Sequence, residues 1–211
     1  MFKGFSASSS LFYGGTASGL QMDAGVVLTT GTASDWNAGD LPPAPGFSEG
    51  SESTTTRWGS AGDDALGDRV AGTGTGDAAI LEFDVLCTNG QLEVEYQFGS
   101  EEYDEYISRF NDDFMISVDG VIVNLLPDCS DIIAVNTVHN GKRDPINNNY
   151  TLQPLNRHLF LDDDLDIDPI VTNQPTQVEY DGLTVRLRSH ALVTPGTHHL
   201  RIVIADVTDS N

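Results

Sequence analysis

The chain has 211 residues, 32 of them Asp or Glu against ten Lys or Arg, for a formal net charge of −22 at pH 7. So acidic a body is repelled by nucleic acid and anionic membrane surfaces, which excludes both as expected partners and leaves divalent cations as the natural counter-charge. Aromatic and β-branched residues throughout the chain exclude a disordered acidic tail, and no apolar run approaches the roughly 18 residues of a membrane span.

Residues 5–79 are rich in Gly, Ser, Thr and Ala, broken by apolar islands such as Gly25-Val26-Val27-Leu28-Thr29-Thr30. That pattern predicts short strands joined by long loops. Pro42-Pro43-Ala44-Pro45-Gly46 continues neither a helix nor a central strand, so a surface loop is expected there. From Ile80 the strand signal strengthens. Ile80 to Leu86 is mostly apolar, Asn89-Gly90 is a hairpin dipeptide, and Leu92, Val94, Tyr96 and Phe98 alternate with Glu93, Glu95 and Gln97. A second hairpin is predicted from Phe114, Ile116 and Val118 through Gly120 to Val121-Ile122-Val123. A third pairs Leu183, Val185 and Leu187 with Leu200, Ile202 and Ile204 across Thr194-Pro195-Gly196. Only residues 104–110 look like a helical turn.

Antiparallel hairpins without a βαβ rhythm predict an all-β fold, an antiparallel two-sheet β-sandwich. A jelly-roll-like topology is expected, with long calcium-binding loops and at most short helical turns. One domain is expected over residues 1–211. A strong strand close to the last residue predicts that the native polypeptide continues, and the lack of an apolar leader after Met1 leaves secretion to sequence outside this stretch. Cys87 and Cys129 stand 42 positions apart; this spacing signals no zinc or redox motif and leaves open whether they pair.

Between Phe98 and Phe114, residues 101–113 hold six carboxylates in thirteen positions, opposed only by Arg109. Calcium takes six to eight oxygen ligands in flexible geometry, so clustered carboxylates with amide and backbone carbonyls suit it. Glu101, Glu102, Asp104, Asn111, Asp112 and Asp113 are the expected ligands. A charge run is more often a solvated loop, but here Phe98, Tyr103, Tyr106, Phe110 and Phe114 should tether it to a core. Asp63, Asp64 and Asp68, with Asp77, form a second candidate in which glycines let the backbone fold around an ion. The run from Asp162 to Asp168 starts like an EF-hand loop but lacks Gly at position six and Glu at position twelve, so a solvated loop is expected.

The remaining motifs are weaker. Residues 72–76 alternate Gly and Thr, yet no Lys-Ser/Thr or helix follows, so a flexible turn is expected rather than a phosphate cradle. The five histidines lack zinc spacing and are expected at the surface or on strands. Neither a GxSxG elbow nor a Cys-His constellation stands in a persuasive context, and the chain reads as non-catalytic.

Taken in order, these marks resemble the choice-of-anchor L domains of large secreted bacterial proteins. The resemblance is carried by Asp23 to Gly31, Asp63 to Asp68, Ala79 to Asp84, Phe98-Gly99-Ser100-Glu101-Glu102-Tyr103 with Phe110-Asn111-Asp112, Asn136-Thr137-Val138, Glu179 to Gly182, and Ile202 to Val207. More loosely, the chain looks like the calcium-dependent peptide-binding domains of bacterial RTX adhesins, although RTX repeats are absent. These resemblances imply an extracellular, cell-surface, monomeric module excised from a larger protein. It would use several calcium ions to bind a peptide or protein ligand on another cell surface, with Tyr103, Tyr106 and Glu105 beside the ion. A calcium-rigidified stalk domain and a carbohydrate-binding module are the alternatives.

Overall fold

The computed structural model describes residues 1–33, 58–68, 74–103, 106–127, 131–144, 146–147, 149–163, 176, 178 and 180–207. In chain order the strands are β1 (Phe2–Lys3), β2 (Ser9–Tyr13), β3 (Ala24–Leu28), β4 (Thr75–Cys87), β5 (Gln91–Tyr96), β6 (Gly99–Ser100), β7 (Asp113–Val118) and β8 (Val121–Ile122). They continue with β9 (Lys142–Arg143), β10 (Tyr150–Leu152), β11 (Phe160–Asp162), β12 (Gly182–Thr184), β13 (Leu187–Leu192) and β14 (Gly196–Val207). One turn of helix, α1 (Asp64–Gly67), stands between β3 and β4. Among the described residues every strand pair is antiparallel, and the fold is all-β and sandwich-like as the alternation predicts.

The main sheet has the order β1-β4-β14-β7-β8. Its two faces bury different clusters. Phe114, Ile116, Ile202 and Ile204 face the main core, with Tyr96, Phe98, Tyr103, Ile107, Phe160 and Leu187 from the opposing strands. Ala78, Ile80, Met115, Val203 and Ala205 face a smaller cluster capped by Leu66 of α1. A strand with successive side chains on opposite faces is buried at every position, and mostly apolar, when both faces are covered. This is why β7 is buried along its whole length rather than at alternate residues.

Opposite the main sheet lie β11-β12-β6 and the pair β13-β5. The residues between β5 and β6, and between β12 and β13, interrupt what would otherwise be two long neighbouring strands.

Of the three predicted hairpins, only β7–β8 forms locally, with Ser117 opposite Ile122 and Val118 opposite Val121. Asn89-Gly90 does turn the chain, with Gly90 at φ +76°. However, β4 pairs with β1 and β14 while β5 pairs with β13, so this turn carries the chain from one sheet to the other. Thr194-Pro195-Gly196 does the same between β13 and β14. The two arches nest, because β4 pairs with β14 and β5 with β13, and Val193 N–H donates to the Gly90 carbonyl at 3.0 Å. Turn chemistry fixes where a chain reverses and leaves the choice of partner to burial. Residues 202–205 of β14 are apolar on both faces and are better buried at a sheet centre than in an edge hairpin.

Cys87 keeps a free, buried thiol whose Sγ lies 3.4 Å from both Asn89 Oδ1 and the Gln91 carbonyl. Cys129 and the proline loop at residues 42–46 lie outside the described residues.

Candidate functional site

The acidic turn begins where β6 ends. Ser100 is 3% exposed, and its hydroxyl donates to Asp112 Oδ2 at 2.8 Å while accepting the Glu102 N–H at 3.0 Å. One serine therefore joins the start of the turn to the residues that lead into β7. Tyr103 is fully buried, its ring 4.7 Å from Phe160 and 6.5 Å from Phe98 between centroids. Gly182, opposite Ser100 across the β12–β6 pair, leaves the space that this ring fills: a Cβ there would stand 2.7 Å from Tyr103 Cδ2.

Further along, Ile107 is fully buried, Tyr106 stacks on Phe110 at 5.1 Å, and Arg109 lies over both rings. Phe98, Tyr103 and Phe114 thus anchor the loop in the main core as expected, whereas Tyr106 and Phe110 are half-buried and stack on each other outside it. Asp104 and Glu105 lie outside the described residues.

The partner segment is also committed. Asn111 Oδ1 accepts the Asn136 N–H at 2.9 Å, and Asn136 Oδ1 accepts the Ser108 N–H at 2.6 Å. Ser108 sits in the left-handed region at φ +69°, so Asn136 braces a strained turn from outside. Asp113 is fully buried at the head of β7, where Oδ1 accepts the Phe114 N–H at 2.7 Å.

Two acids that looked like solvated loop belong to this end of the molecule. Register places Asp162 opposite Gly182, which is in turn opposite Ser100, so Asp162 lies in the same cross-strand row. Asn140 Nδ2 donates to its Oδ2 at 3.0 Å. Asp163 is 1% exposed and takes hydrogen bonds from the N–H and hydroxyl of Thr176; burial pushes its carboxyl above the ordinary range. The expectation of a solvated loop is therefore corrected for these two residues, while residues 164–168 lie outside the described set. Ser100 and Asn136 stand in the runs that carry the family resemblance, yet their roles, like that of Asn140, are set by partners distant in sequence.

The second acidic stretch is divided between structural tasks. Asp63 caps α1, accepting the Leu66 N–H at 3.0 Å, and its other oxygen pairs with Arg201. Arg201 also holds Glu82 at 2.9 Å, and Lys3 completes the network at 3.1 Å from Glu82. Asp77, 5% exposed, accepts the Ser60 N–H at 2.6 Å, the Ser60 hydroxyl at 2.9 Å and the Trp58 N–H at 2.9 Å. Burial alone would raise its pKa, but these bonds outweigh it and hold the carboxyl below the usual range. Asp64 and Asp68 are exposed.

Among the histidines, His190, His198 and His199 lie on strands and His158 is exposed, as expected, and His139 is the one that departs. His139 is buried, which pushes its pKa down with help from Lys142. His198 is buried with Nδ1 at 2.6 Å from Asp119 and Nε2 at 2.7 Å from the Thr194 carbonyl, an acceptor for each nitrogen that favours the protonated ring.

Among the described residues, no group of three or more His, Cys, Asp or Glu side chains is arranged to hold a metal ion. What the acidic turn supplies is oxygen chemistry without nitrogen or sulfur: carboxylates of Glu101, Glu102 and Asp112, the Ser100 hydroxyl and nearby carbonyls. That donor set suits a hard cation such as calcium and does not suit zinc. No helix among the described residues is long and apolar enough to cross a membrane.

Set beside known proteins, residues 2–211 match the family model described as the choice-of-anchor L domain, which indicates a cell-surface or secreted protein. No curated protein and no solved structure matches the chain.

Proposed function

The chain belongs to the choice-of-anchor L domain family, and from that premise we propose that it is an extracellular, calcium-dependent adhesin module holding a peptide or protein ligand. The observation that carries this reading is the joining of Glu102, Ser100 and Asp112 on a turn anchored by the fully buried Tyr103. In a protein of net charge −22, a calcium ion there would relieve repulsion among the carboxylates. Glu101, Glu102 and Asp112 would hold it, with Asp104 and Glu105 in the same stretch of sequence. When bound, calcium supplies a positive centre that a ligand carboxylate can approach on an otherwise repelling surface. The chain's own residues keep the turn in place and exclude water beneath it.

Thermal unfolding with calcium and with EDTA tests the cation. Calcium at about 100 times its Kd stabilises by about 2.7 kcal/mol, which for a chain of this size is a shift of roughly 5–11 °C. Alanine at Glu101 and Glu102 should lower Tm in calcium and leave it unchanged in EDTA; an equal loss in both would assign those residues to packing. A peptide array screened in calcium then separates an adhesin from a rigidified stalk. Retention of glycans with no peptide bound would identify a carbohydrate-binding module instead.

A further inference from the structure

Strand β13 pairs with β5 along one edge only; among the described residues no strand pairs with its other edge, nor with the outer edge of β8. Between these two edges runs an open groove of about 930 Å³, bounded by β13 on one side and by β8 with residues 123–127 on the other. Six residues of β13 at about 3.3 Å each give an edge roughly 20 Å long, enough to pair a short extended segment. Unpaired strand edges are templates for strand addition, in which backbone hydrogen bonds supply affinity and alternate side chains supply selectivity.

The side chains of β13 indicate what such a segment must carry. Leu187, Ser189 and Ala191 point inward, whereas Arg188, His190 and Leu192 stand on the outer face, Leu192 being 88% exposed. On the same face of β5, Glu95 and Glu93 lie opposite Arg188 and His190; Arg188 pairs with Glu95 at 2.6 Å and with Glu93 at 3.6 Å. The outer row therefore runs from acid on β5 to base on β13. Same-face neighbours on adjacent strands interact directly, so a third strand in this row is favoured when it is acid again. Arg186 and His198 also line the groove, together with one acid, Asp119, which is already paired with His198. With a Debye length of about 8 Å, the adjacent Arg188 acts on a third strand more strongly than the distant net charge does. A second copy of this chain would bring Arg188 and His190 near their own counterparts and set two bodies of charge −22 together, so self-pairing is disfavoured.

We propose that the free edge of β13 is a strand-addition site for an extended peptide alternating acidic and apolar residues, acid toward Arg188 and His190 and apolar side chains into the groove. The site goes beyond the calcium-turn reading. It lies along β13 rather than at Ser100 and Gly182, and needs no metal in the groove.

The test uses the whole chain in saturating calcium at 0.15 M salt, with three labelled seven-residue probes: one alternating aspartate and valine, one alternating lysine and valine, and the first N-methylated on every residue. Fluorescence anisotropy should show the aspartate probe binding at least about tenfold tighter than the lysine probe. The N-methylated probe, with the same charges and no edge to pair, should not bind. Arg188→Glu should abolish the preference for aspartate, and Arg188→Gln should reduce it. Equal binding of the lysine or N-methylated probe overturns the proposal, as does no binding of the aspartate probe or an unchanged preference in Arg188→Glu. Dimers in sedimentation that the aspartate probe fails to dissociate would assign the edge to a second copy and overturn it as well. The calcium-induced Tm shift, measured on the same samples, should be the same in Arg188→Glu as in the parent. Its absence from both would count against the calcium reading alone.

Discussion

Replacing Gly182 by alanine isolates how the acidic turn is held. Gly182 lies in β12 between Asp162 and Ser100, and its φ lies outside the left-handed region, so alanine meets no backbone penalty. The obstacle is steric: a Cβ would stand 2.6 Å from Phe160 Cε2 and 2.7 Å from Tyr103 Cδ2. Both rings belong to the main core, and Tyr103 is fully buried, so neither can swing into solvent. Overpacking of this kind costs about 1–3 kcal/mol. Taking about 2 kcal/mol, a chain of this size should lose roughly 4–8 °C in Tm. Because the displaced ring anchors the turn, calcium affinity should fall with stability. Phe160→Leu makes room on one side, so the double variant should lose less than the sum of the two single variants, a coupling readable by chemical denaturation. A Gly182→Ala protein that melts within about 1 °C of the parent, or strictly additive variants, would refute the argument that the glycine exists to admit Tyr103.

Asp77→Ala should destabilise by about 2–3 kcal/mol in urea unfolding, since it strands the Trp58 and Ser60 donors; Asp77→Asn keeps the left-handed φ of +50° accessible and should lose less. Arg201→Met leaves Asp63 and Glu82 facing each other with little solvent, at a cost of about 3 kcal/mol, and adding Asp63→Asn should restore part of it. The His198–Asp119 pair has a defined pH window. His198 is raised, chiefly by its hydrogen bond to Asp119, so its contribution is complete below the ordinary histidine pKa of about 6.5 and is lost as pH rises through the higher folded value. Asp119 is lowered, chiefly by His198, so its contribution is complete above about 3.9 and is lost as pH falls through the lower folded value. Stability scanned from pH 4.5 to 9 should therefore decline as pH rises past about 6.5 in the parent and decline less in His198→Gln.

The sequence carried local information faithfully and long-range information poorly. Alternation in residues 92–98 and 114–118 predicted strands, and the aromatics around Glu101 and Glu102 predicted an anchored acidic turn, because each signal lies within one or two elements. Partner choice was not legible. Asn89-Gly90 and Pro195-Gly196 announce reversals equally well for a hairpin and for an arch, and the pairing of β4 with β14 spans more than a hundred residues. The same limit hid Asp162, whose place beside Ser100 exists only through the register of three strands. It also hid the division of the second acidic stretch, since nothing near Asp63 points to Arg201.

The position of β14 has a kinetic consequence. Among the last described residues, this strand occupies the centre of the main sheet, with β4 on one side and β7 on the other. Until it emerges, β4 and β7 each expose an edge and an apolar face with nothing to pair against, so a chain still in synthesis cannot finish its sheet. Closing contacts over that separation is slow, and the waiting intermediate is prone to associate with others through its bare edges. Folding should therefore begin in earnest only after Val207 is available, and a chain truncated before Gly196 should collapse without acquiring cooperative unfolding.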